Sequence, residues 1–256
     1  LDNMTKINLS IDGDEVVNSY HRPSRDLSDK DAFAKIVKFA RRLSDENKHF
    51  AIRATVSDYS VKRLEEITKW FADEFTPYII HFEPMFSCGR APSSEIEEPD
   101  PAEFIKHCMG AFDYANGRIE ITCSGCDYDV FAKSYCGVSL PNFCITTDGR
   151  VSSCFEVNTM KHKYSDAYVY GRYDNEGSSF VFDWERINAL KQLTVDKYEM
   201  CGNCFAKYNC AGDCPTKRLD EKLERSGKNI ERCSIIRDIL TYRIMKEYSK
   251  ETESET

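Results

Sequence analysis

The sequence predicts an α/β fold, with parallel βαβ units at the start and a smaller cysteine-rich α+β region after them. Three observations lead there. Short apolar strands alternate with amphipathic helices from Lys6 to Pro84, the pattern of a parallel sheet covered by helices. The composition shifts after Pro84. Twelve cysteines occur in 256 residues, and seven of them form one ordered pattern in the second half. This length allows one large core or two smaller ones.

The first strand is Ile7-Asn8-Leu9-Ser10-Ile11. Ser28 or Asp29 is placed to cap the following helix, in which Phe33, Ile36, Val37, Ala40 and Leu43 recur at helical spacing. Phe50 to Val56 forms the second strand, Leu64, Ile67, Phe71 and Phe75 mark one face of the next helix, and Tyr78 to Phe82 forms the third strand. Three parallel strands are too few to close a barrel, and their inner face stays wet unless something covers it. A partial barrel, cut from a longer protein, is therefore expected. Ser87-Cys88-Gly89-Arg90-Ala91-Pro92 and the acidic stretch from Glu95 to Pro101 read as a linker.

A helix from about Ala102 to Tyr114 and a strand at Ile119 to Thr122 lead to the cysteines. A hairpin is expected next. Its strands are Phe143 to Thr146 and Arg150 to Ser153, and Asp148-Gly149 supplies the positive φ of a tight turn. Cys154 then falls at a strand end. From Cys201 to Cys214 there is little room for regular structure, as where ligands rather than an apolar core organise the backbone. A final helix, about Ser234 to Glu247, has Ile235, Ile236, Ile239, Leu240 and Ile244 as its buried side.

Thirty-five basic against forty-three acidic residues give a formal charge of −8. No basic stripe with interleaved aromatics appears, so nucleic acid is not an expected partner. The start has no basic segment followed by an apolar one, and no run of about eighteen apolar residues occurs. A cytoplasmic protein without membrane contact is expected, and with it reduced cysteines rather than disulfides.

The ordered cysteines read Cys136-x12-Gly149-x4-Cys154, then Cys201-x2-Cys204-x5-Cys210-x3-Cys214, then Cys233. Four thiolates within fourteen residues, with more on both sides, supply ligands for two metal centres. Iron–sulfur clusters meet this spacing, and so does zinc held by thiolates, which a protein prepared in air would take up. Cys123 and Cys126 form a further Cys-x2-Cys pair outside the pattern, read either as metal ligands or as a partly buried strand end. Cys88 and Cys108 read as small apolar residues, and His81 and His107 as isolated structural histidines.

The seven-cysteine pattern, from about Tyr135 to Ser234, resembles the SPASM domain, the auxiliary iron–sulfur module of radical SAM enzymes that modify peptides and proteins. Asn8-Leu9-Ser10-Ile11-Asp12-Gly13, followed by His21-Arg22-Pro23, is similar to the fourth strand of a radical SAM barrel. The resemblance implies the C-terminal half of a (β/α) TIM-like barrel over residues 1–86, a linker with a helix over 87–134 and a SPASM domain with a C-terminal helix over 135–256. It assigns Cys201, Cys204, Cys210 and Cys233 to one auxiliary [4Fe–4S] cluster, and Cys136, Cys154 and Cys214 to the other. An eighth ligand is open, with Cys144 the nearby candidate.

Ser10 and Arg53 are implied to meet the methionine carboxylate and ribose of S-adenosylmethionine, since a guanidinium can donate two parallel hydrogen bonds to a carboxylate. The Cys-x3-Cys-x2-Cys loop that holds the radical-generating cluster in this family is absent from the sequence. The chain is thus expected to be a C-terminal fragment, inactive alone, of a parent that carries that third cluster. The implied partners are a ribosomal peptide or protein substrate and an electron donor such as flavodoxin or ferredoxin. The auxiliary clusters would carry electrons or bind substrate.

In the sulfatase-maturating members an Asp follows the second motif cysteine as base, and here Phe155 stands there. Glu156, on the other side of an extended strand, is a weak substitute. The catalytic base is therefore unassigned, and thioether formation or another cross-link is favoured over formylglycine formation. The stretch from Tyr164 to Trp184 reads as a cover over the first cluster or as a peptide-binding surface. The rival to the enzyme is a zinc-binding structural or peptide-recruiting module without catalysis.

Overall fold

The computed structural model describes residues 5–24, 31–86, 95–219 and 228–254. The proposed caps Ser28 and Asp29, the segment Ser87 to Pro92 and Cys88 lie outside the described residues. The chain divides into two compact units, residues 1–127 with 237–256, and residues 128–236. Packing thus groups residues differently from composition, because the helix and strand expected within a linker belong to the first unit.

That unit contains a parallel sheet in the order β1 (Ile7–Ser10), β2 (Phe50–Val56), β3 (Ile79–Pro84) and β4 (Glu120–Thr122). Between the strands run α1 (Glu15–His21), α2 (Ala32–Asp45), α3 (Leu64–Glu74) and α4 (Pro101–Ala115). Register explains the two faces of the sheet. Leu9, Ile52, Ile80 and Ile121 are partners in one row across all four strands, and Ser10, Arg53, His81 and Thr122 form the next. Successive residues of a strand point to opposite sides. The first row is apolar, with Ile52, Ile80 and Ile121 buried, and the second puts exposed Ser10 and Arg53 on a polar face.

The helices follow their apolar spacing. Leu64, Ile67, Phe71 and Phe75 are all buried on α3, and Val37, Ala40 and Leu43 on α2. Asp100 caps α4 by accepting from the amides of Ala102 and Glu103. The long helix α9 (Lys228–Ser254) buries Ile235, Ile236, Ile239 and Leu240, but Ile244 is 42% exposed. One residue earlier, the stem of Arg243 takes the inward position, its guanidinium 5.0 Å from the Phe112 ring. Among the described residues no helix is long and apolar enough to cross a membrane.

A helix missed by the sequence reading, α1, is capped by Asp14, which accepts from the Val17 amide at 3.0 Å. It holds His21 and Arg22 against buried Asp12. Arg22 donates to both Asp12 oxygens at 2.7 and 3.1 Å, His21 Nδ1 lies 3.4 Å from Asp12 Oδ2, and the Thr55 amide donates at 2.8 Å. Burial alone would push the Asp12 carboxyl up, but His21, Arg22 and Thr55 hold it below the usual value. A depressed carboxylate contributes stability that is present above its unfolded pKa, about 3.9, and lost as pH falls through the lower native value. Asp12→Asn is expected to shrink the acid-side loss of stability in urea titrations between about pH 4 and pH 2.

The second unit contains an antiparallel meander of β5 (Cys144–Ile145), β6 (Arg150–Ser152), β7 (Val169–Asp174) and β8 (Ser179–Phe182). The predicted hairpin is there. Gly149 has φ +73°, its amide donates to the Thr146 carbonyl at 3.0 Å, and Cys144 pairs with Ser152. Two short helices, α5 (Ser165–Tyr168) and α6 (Trp184–Lys191), help to enclose a core of Val138, Val151, Val157, Tyr168, Tyr170, Ile187 and Leu190. The stretch from Tyr164 to Trp184 therefore includes the hairpin β7–β8, and its Tyr168 and Tyr170 are core residues.

Candidate metal-binding site

The segment from Cys201 to Cys214 is a succession of turns, each anchored on a cysteine. The carbonyls of Cys201, Cys204, Cys210 and Cys214 accept from the amides of Cys204, Lys207, Asp213 and Arg218 at 3.1–3.2 Å. Cys210 ends α7 (Lys207–Cys210) and Cys214 caps α8 (Pro215–Arg218). Between them Ala211, Gly212 and Asp213 all have positive φ, at 51°, 85° and 63°. For the two residues with a Cβ this costs about 1–2 kcal/mol each, so the reversal is held by something else.

An ion pair holds it. Arg232 donates to both oxygens of Asp213 at 2.6 and 2.9 Å, with side-chain exposures of 7% and 2%. Burial alone would raise the Asp213 carboxyl, but the Arg232 guanidinium keeps it below its ordinary value. Arg218 is the second organising cation. It donates to the Gly212 carbonyl at 2.9 Å and lies 3.5 Å from Cys233 Sγ. Neither arginine was singled out from the sequence, because only their partners reveal them.

The thiols lie in two neighbourhoods. Burial raises the Cys201 thiol, with further upward pushes from Cys233 and Cys204. Burial, Asp213 and Cys233 push Cys210 up to about 12, against the pull of Arg218. In the other neighbourhood, burial raises Cys136, and Cys214 and Cys154 add to it. Cys154 Sγ lies 3.4 Å from Thr216 Oγ1. The buried Tyr168 hydroxyl, raised by burial and by Cys154 and Cys214, makes no well-formed hydrogen bond among the described residues, although Thr216 lies beside it. Cys144 adds to the upward push that burial gives the Tyr170 hydroxyl.

The chemistry of this donor set is that of soft thiolates, and an orphaned buried hydroxyl faces one group of them, a donor suited to a thiolate or an inorganic sulfide. Among the described residues no three His, Cys, Asp or Glu side chains converge on a point that would hold a single metal ion. Four thiolates on one zinc, each about 2.3 Å from it, stand roughly 3.8 Å apart, whereas a cubane cluster spreads its ligands over separate irons.

Past Cys154 the chain is not extended. β6 ends at Ser152, and the Val157 amide closes a turn on the Cys154 carbonyl at 3.1 Å. Phe155, 73% exposed, and Glu156 both project to solvent, which replaces the expected strand with Glu156 on its far side. In the first unit, Ser10, the last residue of β1, and Arg53, in the middle of β2, are register partners. His81 is not isolated: it lies 3.0 Å from Glu83 and 3.3 Å from Ser124 Oγ. His107 meets Glu65 at 3.1 Å and Glu103 at 3.4 Å.

No protein-family model matches the chain, and no curated protein matches it in sequence. Solved structures do. The chain superimposes on native anSMEcpe with bound AdoMet and Kp18Cys peptide at a TM-score of 0.62 with 16% identity, covering 97% of this chain and 69% of that one. With the Cp18Cys peptide bound instead, the TM-score is 0.65, again at 16% identity, covering 97% and 70%. For native anSMEcpe with AdoMet alone it is 0.61 at 17% identity, covering 94% and 66%. That protein is an anaerobic sulfatase-maturating enzyme of the radical SAM/SPASM type. The chain has a mixed α/β fold, with a parallel sheet and helices, like that of a radical SAM/SPASM enzyme.

Proposed function

We propose that this chain is part of a radical SAM/SPASM oxidoreductase that modifies a side chain of a ribosomally made peptide or protein. In this reading, the unit of residues 1–127 with 237–256, rather than 1–86 alone, contributes a partial barrel, and residues 128–236 form a domain for two auxiliary [4Fe–4S] clusters. Cys201, Cys204, Cys210 and Cys233 would hold one cluster, and Cys136, Cys154 and Cys214 the other. The observation that carries the reading is the division of the thiols into two neighbourhoods, Cys201, Cys204, Cys210 and Cys233 in one and Cys136, Cys154 and Cys214 in the other. The fold's likeness to an enzyme with AdoMet and peptide bound supports it.

Bound clusters would supply one-electron chemistry at potentials set by their surroundings. The chain's own residues have separate tasks. Arg218 and the turn amides offset the charge of the thiolates. The buried Tyr168 hydroxyl, left without a well-formed hydrogen bond, would donate to the cluster held by the Cys154 and Cys214 group. On the polar face of the sheet, Ser10 and Arg53 would receive the carboxylate and ribose of S-adenosylmethionine, with Arg53 as the bidentate donor. The sequence contains no Cys-x3-Cys-x2-Cys, so these 256 residues alone are expected not to cleave S-adenosylmethionine. A flavodoxin or ferredoxin would serve as electron donor.

The test is iron, acid-labile sulfide and zinc content after anaerobic reconstitution, with Mössbauer spectra. About eight irons and eight sulfides per chain are expected; stoichiometric zinc that iron does not displace would leave a structural or peptide-recruiting module. In reconstituted protein, Tyr168→Phe is expected to lower the reduction potential of one cluster and leave the other unchanged in a redox titration followed by electron paramagnetic resonance. A hydrogen bond to cluster sulfur favours the more negative, reduced form.

A further inference from the structure

Three cysteines that the cluster reading leaves unused meet in the first unit. Cys108 on α4 and Cys123 and Cys126 just past β4 are all buried, with exposures of 0, 2 and 0%. Cys126 Sγ lies 2.7 Å from Cys123 Sγ, and Cys108 is the third member of the group. The turn that joins the pair is well defined. The Cys126 amide donates to the Cys123 carbonyl at 3.1 Å, and Gly125, with φ +80°, takes the position where a type II turn requires a left-handed residue. Such a turn keeps its first and last Cα atoms within about 7 Å, which is the reach of a disulfide.

We propose that Cys123 and Cys126 form a reversible disulfide, made by a small peroxide and reopened by a thiol reductant. The turn is pinned from outside, so the sulfurs stay together in both states. Arg243 donates to the Cys126 carbonyl at 2.8 Å, and Thr122 donates to Asp127 at 2.6 Å. The pair also has an attacking member. Hydrogen bonds from Cys108 and Cys126 draw the Cys123 thiol below its ordinary range, whereas burial and the neighbouring charge push Cys126 up.

The chemistry balances with hydrogen peroxide as oxidant. The Cys123 thiolate attacks one peroxide oxygen and breaks the O–O bond, giving a sulfenic acid and hydroxide. The Cys126 sulfur then attacks the Cys123 sulfur and displaces the hydroxyl as water. Two thiols lose two electrons to peroxide, and their two protons leave in two molecules of water. Peroxide is small enough to enter beside Ser124 and Gly125, both half-buried. This inference does not rest on the cluster assignment.

The test uses the whole chain, prepared anaerobically, exposed to graded hydrogen peroxide, quenched in acid, alkylated and digested with trypsin. Cys123 and Cys126 fall in one tryptic peptide, residues 119–133, with no other cysteine. The expected result is that this peptide becomes two hydrogens lighter and unalkylated, and that dithiothreitol reverses the change. Cys126→Ser should abolish the cross-link and leave Cys123 trapped by dimedone as a sulfenic acid, while Cys108→Ser should still form it. Alkylation of both thiols at every peroxide dose, or a bond from Cys123 to a cysteine elsewhere in the wild-type chain, would overturn the proposal. Mapping of the wild type decides the matter even if a variant fails to fold.

Discussion

Replacing Arg232 with methionine is expected to destabilise the second unit by about 3–5 kcal/mol, the cost of stranding a buried charge whose partner has been removed. Asp213 is 2% exposed, and Arg232 provides a two-point contact to its carboxylate. The same carboxylate belongs to a residue at φ +63°, inside the reversal that links Cys210 to Cys214. Losing the arginine leaves both the charge and the strained backbone unsupported. The measurement is the urea midpoint of parent and variant at equal iron content. Adding Asp213→Asn to Arg232→Met should recover part of the loss, since a neutral amide is cheaper to bury than an unpaired carboxylate. A variant with an unchanged midpoint would mean that the pair does not hold this loop.

Cys210→Ala should reduce the iron of the reconstituted protein from about eight to about four atoms per chain, with a matching fall in sulfide. Cys210 is buried beside Cys233 and Asp213, in the neighbourhood that also contains Cys201 and Cys204. Its removal takes one of four ligands from one centre and none from the other. Cys108→Ala, in the other unit, should leave the iron content unchanged. If Cys210→Ala empties both centres, the two are not independent. If Cys108→Ala lowers iron as much as Cys210→Ala does, the assignment of the signature cysteines is wrong.

The local features were legible in sequence because each is encoded within a few residues. Phe50 to Val56 is the second strand to the residue, and Asp148-Gly149 dictates its hairpin turn. The spacing of Leu64, Ile67, Phe71 and Phe75 marks the buried face of α3. Where local reasoning failed, a distant contact decided. Ile244 is exposed because the inward position one residue earlier is taken by the Arg243 stem on Phe112. Glu156 is not opposed to its neighbours across a strand, because the chain turns at Cys154.

The sequence by itself determined which residues are available for thiolate chemistry, their spacing, and the alternation of strands and helices, because periodicity and turn chemistry act over one or two turns of chain. Only the tertiary structure decided that β4 joins the parallel sheet, that Arg232 and Arg218 serve the cysteine loop, and that Cys108 meets Cys123 and Cys126. Spacing along a flexible chain leaves the partner of a distant side chain almost free, since closing a longer loop costs only slightly more entropy. Burial, register and the pairing of charges then select one arrangement.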